Sequence, residues 1–292
     1  MPSLKQINTK IASAKGTRRI MSAMKLIAAV KLQRTQSLLK SHRVYVEAYE
    51  KIASGVLSVC EPNAHPLLYR PEEPKSAHVV FLTSDRGLCG NFNNVLIKGL
   101  DAMVSERGLS KEDLKMTFIG NKGRDFFSPR GFLQGSYYTG VNEENYADIA
   151  GELVSLLSKE FSERETDEVI LVHSSFISAL SRQTVFETVL PVEIPPAPEG
   201  ETQDCIFEPS RQEIVDDLIP GSLRLRIESA VLESLTSEHA ARMTAMENAT
   251  NNADELIKNL TLLFNKTRQA IITTELMDIV NGTEALRDGG EN

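Results

Sequence analysis

The feature that most constrains this fold is the run beyond Pro220, which reaches the C-terminus without another proline. Within it Arg242, Met246, Ala249, Ala253, Leu256, Leu260, Leu263, Thr267, Ala270, Thr274 and Met277 alternate steps of four and three. This is the heptad rhythm of a coiled coil, in which one side of a helix stays turned toward a partner. At a rise of about 1.5 Å per residue, a helix from Ser222 to Leu286 would span on the order of 95 Å, several times the thickness of a compact domain. Such a helix must project. A partner is available at the other chain end, where Leu4, Ile7, Ile11 and Ala14 recur at helical spacing and Ala28, Leu32, Thr35 and Leu39 resume a related register. Between Lys15 and Ile27 the stripe broadens, with Ile20, Met21, Met24 and Ile27 offering more apolar surface than one antiparallel helix needs. A second contact surface is expected there.

The chain between these helices has a different grammar. Glu61, Pro62, Asn63, Pro66, Pro71 and Pro74 end the first helix and form a linker. From Ala77 onward, short β-like runs alternate with helical stretches. Strands are predicted over His78 to Thr83, Leu114 to Ile119, Val169 to Ser174 and Thr184 to Val192, and helices over Asn93 to Glu106 and Tyr146 to Phe161. That alternation favours a small, mainly parallel sheet covered by helices. Pro191, Pro195, Pro196 and Pro198 close the segment. The expected organisation is an N-terminal coiled-coil helix over 1–60, a globular α/β domain over 77–198 and a C-terminal coiled-coil helix over 210–286. The fold class is therefore α/β plus long helices, an antiparallel coiled coil of the N- and C-terminal helices carrying an inserted Rossmann-like α/β domain. A rod with a lateral domain suits transmission of force or position over distance.

Charge narrows the choice of partners. Residues 1–46 contain no Asp or Glu but ten bases: Lys5, Lys10, Lys15, Arg18, Arg19, Lys25, Lys31, Arg34, Lys40 and Arg43. The whole chain carries −8, so the remainder carries −18, and the first segment is expected to favour an acidic surface. No apolar run approaches the roughly 20 residues needed to cross a bilayer. Membrane contact is therefore expected to be indirect. Cys60, Cys89 and Cys205 are far apart and show no CxxC or Cys/His spacing, which argues against a zinc site or a disulfide framework. Trp is absent, so base-stacking platforms for single-stranded nucleic acid are not evident. The turn Asp85, Arg86, Gly87, Leu88, Cys89, Gly90 lies between a strand and a helix, where phosphate loops also sit, but it has neither the Walker lysine nor GxGxxG spacing. It reads as a structural turn with Gly87 and Gly90 in special backbone conformations and Cys89 packed inside. The histidines show no triad or metal partner. No catalytic, metal or cofactor-binding residue is assigned.

Three stretches carry a family resemblance. Lys10 to Gln36, KIASAKGTRRIMSAMKLIAAVKLQRTQ, resembles the N-terminal helix of gamma subunits of F-type ATP synthases. Ser84 to Asn93, SDRGLCGNFN, is similar to the turn after the first strand of their α/β domain. Asn265 to Leu286, NKTRQAIITTELMDIVNGTEAL, resembles their C-terminal segment almost residue for residue. The resemblance implies a non-catalytic rotor shaft surrounded by three alpha and three beta subunits, with the epsilon subunit and the c-ring at its foot. It implies rotor-to-beta contacts from Lys15, Arg18, Arg19, Met24 and Lys25, and from Arg268, Gln269, Thr273 and Glu275 at the C-terminal tip. It also implies a peripheral location on the cytoplasmic face of the bacterial plasma membrane. The chain departs from the family pattern at Asn91, where a glycine is usual, and at Gln33, where a base is frequent. It lacks the cysteine-pair insertion of chloroplast members. Three other readings stand beside this one: an N-terminal transit peptide, a coiled-coil scaffold holding nucleic acid through its basic segment, and a nucleotide-dependent enzyme built on the α/β domain.

Overall fold

The structure, a computed structural model, describes residues 3–57, 60, 64–71, 74–193, 207–208 and 210–288, with side chains on the last helix as far as Thr283. Glu61, Pro62, Asn63, Pro195, Pro196, Pro198 and Cys205 lie outside the described residues. The elements in order are α1 (Leu4–Leu57), β1 (Ala77–Leu82), α2 (Phe92–Arg107), β2 (Leu114–Ile119), α3 (Asn121–Phe127), β3 (Leu133–Tyr138), α4 (Tyr146–Ser162), β4 (Glu168–Phe176), β5 (Arg182–Leu190) and α5 (Arg211–Asp288). They form two compact units, one from residues up to Ile27 with those from Ala245 onward, the other from Ala28 to Thr244.

The first unit is a helix pair. A reciprocal cap starts α1: the Ser3 amide donates to Gln6 Oε1 at 3.1 Å, and the Gln6 amide donates to Ser3 Oγ at 3.3 Å. Arg18 pairs with Asp254, and Lys25 Nζ lies 2.6 Å from Glu247 Oε1, so numbers rise on one helix as they fall on the other. The helices are antiparallel. Ile7 and Ile11 are buried in the seam, with Leu4, Ala14, Met21 and Met24 half-buried beside them. On α5 the covered positions are Met246, Thr250, Ala253, Ile257, Leu260, Phe264 and Thr267. The heptad therefore continues, but one residue away from the predicted Ala249, Leu256 and Leu263. Ala249 remains half-buried, while Leu256 is 52% exposed and Leu263 43% exposed. Adjacent apolar residues at two of these steps, Leu256 with Ile257 and Leu263 with Phe264, made the stripe ambiguous. An α-helix drifts by about 20° per heptad against a strict seven-residue repeat, enough to exchange such neighbours.

The second unit holds a five-stranded sheet in the order β3-β2-β1-β4-β5. The first four strands are parallel, and β5 runs antiparallel to β4. β1 is buried along its whole length, which explains the unbroken apolar run AHVVFL. On one face Val79, Phe81, Met116 and Phe118 pack with Leu96 and Leu100 of α2 and Phe127 of α3. On the other, Val80, Leu82 and Leu171 pack with Leu153 and Leu157 of α4, Leu57 of α1, and Ile219, Leu223 and Ile227 of α5. Each fully buried side chain of this size contributes about 1.5–3 kcal/mol, so the α5 residues before Thr244 belong to the sheet's core.

Sequence patterning missed two elements. α3 spans only 7 residues, and β3 is an edge strand whose Gly135 and Ser136 weaken any β signal. α5 begins at Arg211 and carries Pro220 within it. Tertiary contact supports this passage: Tyr49 donates its hydroxyl to the Leu218 carbonyl at 2.9 Å. A Cβ on Gly221 would lie 2.1 Å from that hydroxyl, so a glycine after the proline admits the tyrosine.

Beneath the sheet, His78 is fully buried between Glu160 Oε2 at 2.7 Å and Thr117 Oγ1 at 2.8 Å, and Lys115 Nζ reaches Glu160 Oε1 at 2.8 Å. The His78 hydrogen bond, helped by Lys115 and opposed by burial, holds the Glu160 carboxyl down at about 2 against an ordinary 4.5. A depressed carboxyl contributes stability above its unfolded value and loses it as pH falls through its folded value. Glu160→Gln is therefore expected to lower the urea midpoint at neutral pH. The gap to the parent chain should narrow steadily from pH 4.5 toward about 2.

Candidate functional site

The helix-pair unit contains both sets of predicted rotor contacts, but it treats them differently. Arg18 and Lys25 are engaged within the chain by Asp254 and Glu247. Part of the acidic surface expected to face the basic segment is thus supplied by this chain's own α5. All four side chains are about a third to a half exposed, so the pairs contribute at most about 1 kcal/mol each and serve mainly to set register. Lys15 and Arg19 are exposed and have no ion-pair partner among the described residues. Met24 is half-buried.

The same register explains the other end. Opposing Arg18 to Asp254 and Lys25 to Glu247 places Leu4, the first helical residue of α1, opposite Arg268. Beyond that point α5 has no partner among the described residues, and every side chain from Arg268 to Thr283 is exposed. Arg268, Gln269, Thr273 and Glu275 lie in this stretch, with Thr273 Oγ1 donating to the Gln269 carbonyl at 2.9 Å. The predicted seam residues Ala270, Thr274 and Met277 are consequently uncovered as well. Around them stand Ile271, Ile272, Leu276, Ile279 and Val280, ranging from 39% exposed at Ile271 to 63% at Ile279. Each such side chain forgoes about 1.5–3 kcal/mol of burial while it remains in water.

The glycine turn belongs to the second unit and is held by side chains on every side. Asp85 Oδ1 accepts from the Asn121 amide and from Asn121 Nδ2, each at 3.2 Å, and its Oδ2 accepts from the Gly140 amide at 2.8 Å. Asn93 Nδ2 donates to Ser84 Oγ at 2.7 Å and to Cys89 Sγ at 3.2 Å. Arg242 Nη2 donates to the carbonyls of Arg86 at 3.1 Å and Gly87 at 3.2 Å, while its other nitrogen pairs with Glu238. Cys89 is buried. The special conformations fall on Leu88 (φ 66°) and Gly90 (φ 62°), so Leu88 takes the left-handed position expected of Gly87. A non-glycine residue there costs about 1–3 kcal/mol, which the surrounding hydrogen bonds offset. Sequence reasoning missed Arg242 as a functional residue by placing it in the coiled-coil seam. A long cation at a heptad core position was the available warning.

In an open α/β sheet the ligand crevice lies beyond the carboxyl ends of the strands where the order reverses, here between β1 and β4. That position is filled by α5: Ser237 Oγ donates to the Ser174 carbonyl at 3.1 Å. A cavity of about 30 Å³ is left, lined by residues including Thr83, Asp85, Gly120, Ser234 and Glu238, enough for a water molecule. No group of three or more metal-ligating side chains occurs among the described residues.

A family model described as ATP synthase matches residues 3–286. The ATP synthase gamma chain of an Anaeromyxobacter species is 41% identical over 98% of this chain and 100% of its own length. This chain belongs to the ATP synthase gamma-chain family. Among solved structures, the central stalk and c-ring of the Tetrahymena thermophila mitochondrial ATP synthase includes a chain 25% identical, with a TM-score of 0.58 over 79% of this chain and 99% of that one. The Euglena gracilis mitochondrial ATP synthase contains one at 17% identity whose fold matches with a TM-score of 0.70 over 99% of this chain and 96% of its own. Arg242→Gln is expected to loosen the Asp85–Gly90 turn and accelerate alkylation of Cys89 in the folded chain by about tenfold or more, because hydrogen bonds from a charged donor are worth about 1.5–3 kcal/mol. Site-resolved mass spectrometry separates Cys89 from Cys60 and Cys205.

Proposed function

We propose that this chain is the central rotor shaft of an F-type ATP synthase, coupling ion-driven rotation of a membrane ring to conformational cycling of catalytic beta subunits. The observation that carries this reading is the unpartnered end of α5, an exposed helix with apolar and polar residues around its perimeter. A sleeve of three alpha and three beta subunits would cover that surface. An asymmetric shaft inside such a sleeve presents a different face to each beta subunit and biases each site's conformational equilibrium through differential contacts. Lys15 and Arg19, and more weakly the internally paired Arg18 and Lys25, would draw an acidic beta-subunit surface, with Met24 nearby. Arg268, Gln269, Thr273 and Glu275 would supply polar contacts at the tip.

The chain itself would be non-catalytic and require no cofactor. The tightly held turn at Asp85–Gly90 and the crevice filled by α5 support a structural role for the α/β unit. That unit, with an epsilon subunit, would form the foot on the c-ring. Among the described residues no helix is long and apolar enough to cross a membrane, which suits peripheral attachment at the cytoplasmic face of a bacterial plasma membrane through partners. The direct test is affinity purification of the tagged chain from its own host. Stoichiometric alpha and beta subunits with ATP-driven rotation are expected, and a chain that purifies without them would overturn the assignment.

Residue-level tests divide contact from folding. Lys15→Gln with Arg19→Gln should leave the thermal midpoint of the isolated chain unchanged, since neither side chain has an ion pair to lose, while lowering ATP-driven ion pumping relative to hydrolysis. Arg268→Ala with Gln269→Ala should preserve helicity, because alanine is the strongest helix former, and slow multisite ATP turnover in the reconstituted complex. Rotation and hydrolysis at parent rates in a fully assembled complex would remove these residues from the contact set.

A further inference from the structure

Where the antiparallel edge of the sheet meets α1 and α5, the charges of the second unit do not cancel. His173 of β4 is buried, its Nδ1 has no hydrogen-bond partner, and its Nε2 lies 4.0 Å from Glu187 Oε2 on the neighbouring strand β5. On the far side of that carboxylate, Arg226 Nη1 of α5 stands 3.8 Å from Glu187 Oε1. Neither separation is a hydrogen bond. Glu233 of α5 and Glu50 of α1 add negative charge around Glu187, and Arg43 of α1 holds Glu233 at 2.7 Å. Glu47 and Lys51 line the adjoining groove with Glu50 and Arg226. With the imidazole neutral, Glu47, Glu50, Glu187, Glu193 and Glu233 stand against Arg43, Lys51, Arg226 and the Arg70 that holds Glu193 at 3.0 Å, an excess of one negative charge.

We propose that His173 and Glu187 form a proton-binding switch: in mild acid the pair takes up one proton, and the 4.0 Å gap closes to an imidazolium–carboxylate hydrogen bond that ties β4 to β5 against α5. The added charge cancels the local excess. Burial opposes it, because the proton on Nε2 leaves an unpartnered N–H at Nδ1, and this keeps uptake below the neutral range. The same burial pushes the His173 imidazole down from its ordinary 6.5, against the pull of Glu233, and pushes the Glu187 carboxyl up from 4.5, against the pull of Arg226. The two shifts have opposite linkage signs. The lowered imidazole costs stability as pH falls below 6.5, while the raised carboxyl returns stability as pH falls toward 4.5. Nothing is oxidised or cleaved. This switch is independent of the rotary reading.

The test is nuclear magnetic resonance of the full-length chain labelled at histidine, with the His173 imidazole assigned by its loss in His173→Gln. Its protonation midpoint is expected below the ordinary 6.5. Glu187→Gln should lower that midpoint by about one unit, a tenfold loss of proton affinity, and Arg226→Gln should raise it by a similar amount. An imidazole that stays neutral until the chain unfolds in acid, or a midpoint that ignores both replacements, overturns the proposal. Should Glu187→Gln fail to fold, the direction seen in Arg226→Gln decides alone: a rise supports the pair, and no change rejects it.

Discussion

Antiparallel pairing of two helices of unequal length is the constraint on which the rest of the structure depends. α1 has 54 residues and α5 has 78, so one must outrun the other. The seam of Ile7 and Ile11 against Leu260, Phe264 and Thr267 supplies the binding energy, and the exposed pairs Arg18–Asp254 and Lys25–Glu247 select the register. Once that register is set, the last turns of α5 are left without a partner among the described residues. Their apolar side chains are then available for burial elsewhere. A surface of this kind is a cost to an isolated protein and an advantage to a subunit.

The sheet unit follows from the other part of α5. Ile219, Leu223, Ile227 and Val231 bury against the sheet's inner face, and Ser237 and Arg242 reach the carboxyl ends of its strands. In related α/β folds those strand ends bind nucleotides. Here a helix of the same chain occupies the place, and Arg242 consumes the turn's exposed carbonyls. Close approach is demanded at Gly120, where a Cβ would meet the Thr83 carbonyl oxygen at 2.1 Å and where φ is 93°. Beside Thr83, Gly120 and Ser234 the strand ends thus serve packing and leave a water-sized cavity.

Several charged groups in the fold sit in poorly matched surroundings, and they divide by hydrogen bonding. His78 has partners on both ring nitrogens, so its burial is neutralised locally by Glu160 and Thr117. His173 and His239 have buried ring nitrogens without partners, and burial lowers both; His239 falls to about 4, helped by Lys31 and Arg242. Glu238 beside Arg242 is pushed up by burial. These groups lie where α1, α5 and the sheet meet within one unit, because helices that pack on a sheet carry their polar flanks into the junction.

The sequence by itself determined the long helices, their heptad rhythm, the alternation that builds a mostly parallel sheet, and the three stretches that carry the family resemblance. Periodicity is a local property, and each of these elements is long or strongly patterned enough to express it. Tertiary structure alone decided which of two adjacent apolar residues faces inward, as at Leu256 and Ile257, and whether Pro220 interrupts α5. It decided that Arg18 and Lys25 are answered within the chain while Lys15 and Arg19 are not, that Leu88 rather than Gly87 adopts the left-handed turn, and that Arg242 leaves the seam for the turn's carbonyls. Short elements such as α3 and β3 were decided there too. In each case the outcome depends on partners more than a hundred residues away or on a neighbouring element's shape, and a pattern read along one strand of sequence contains no term for either.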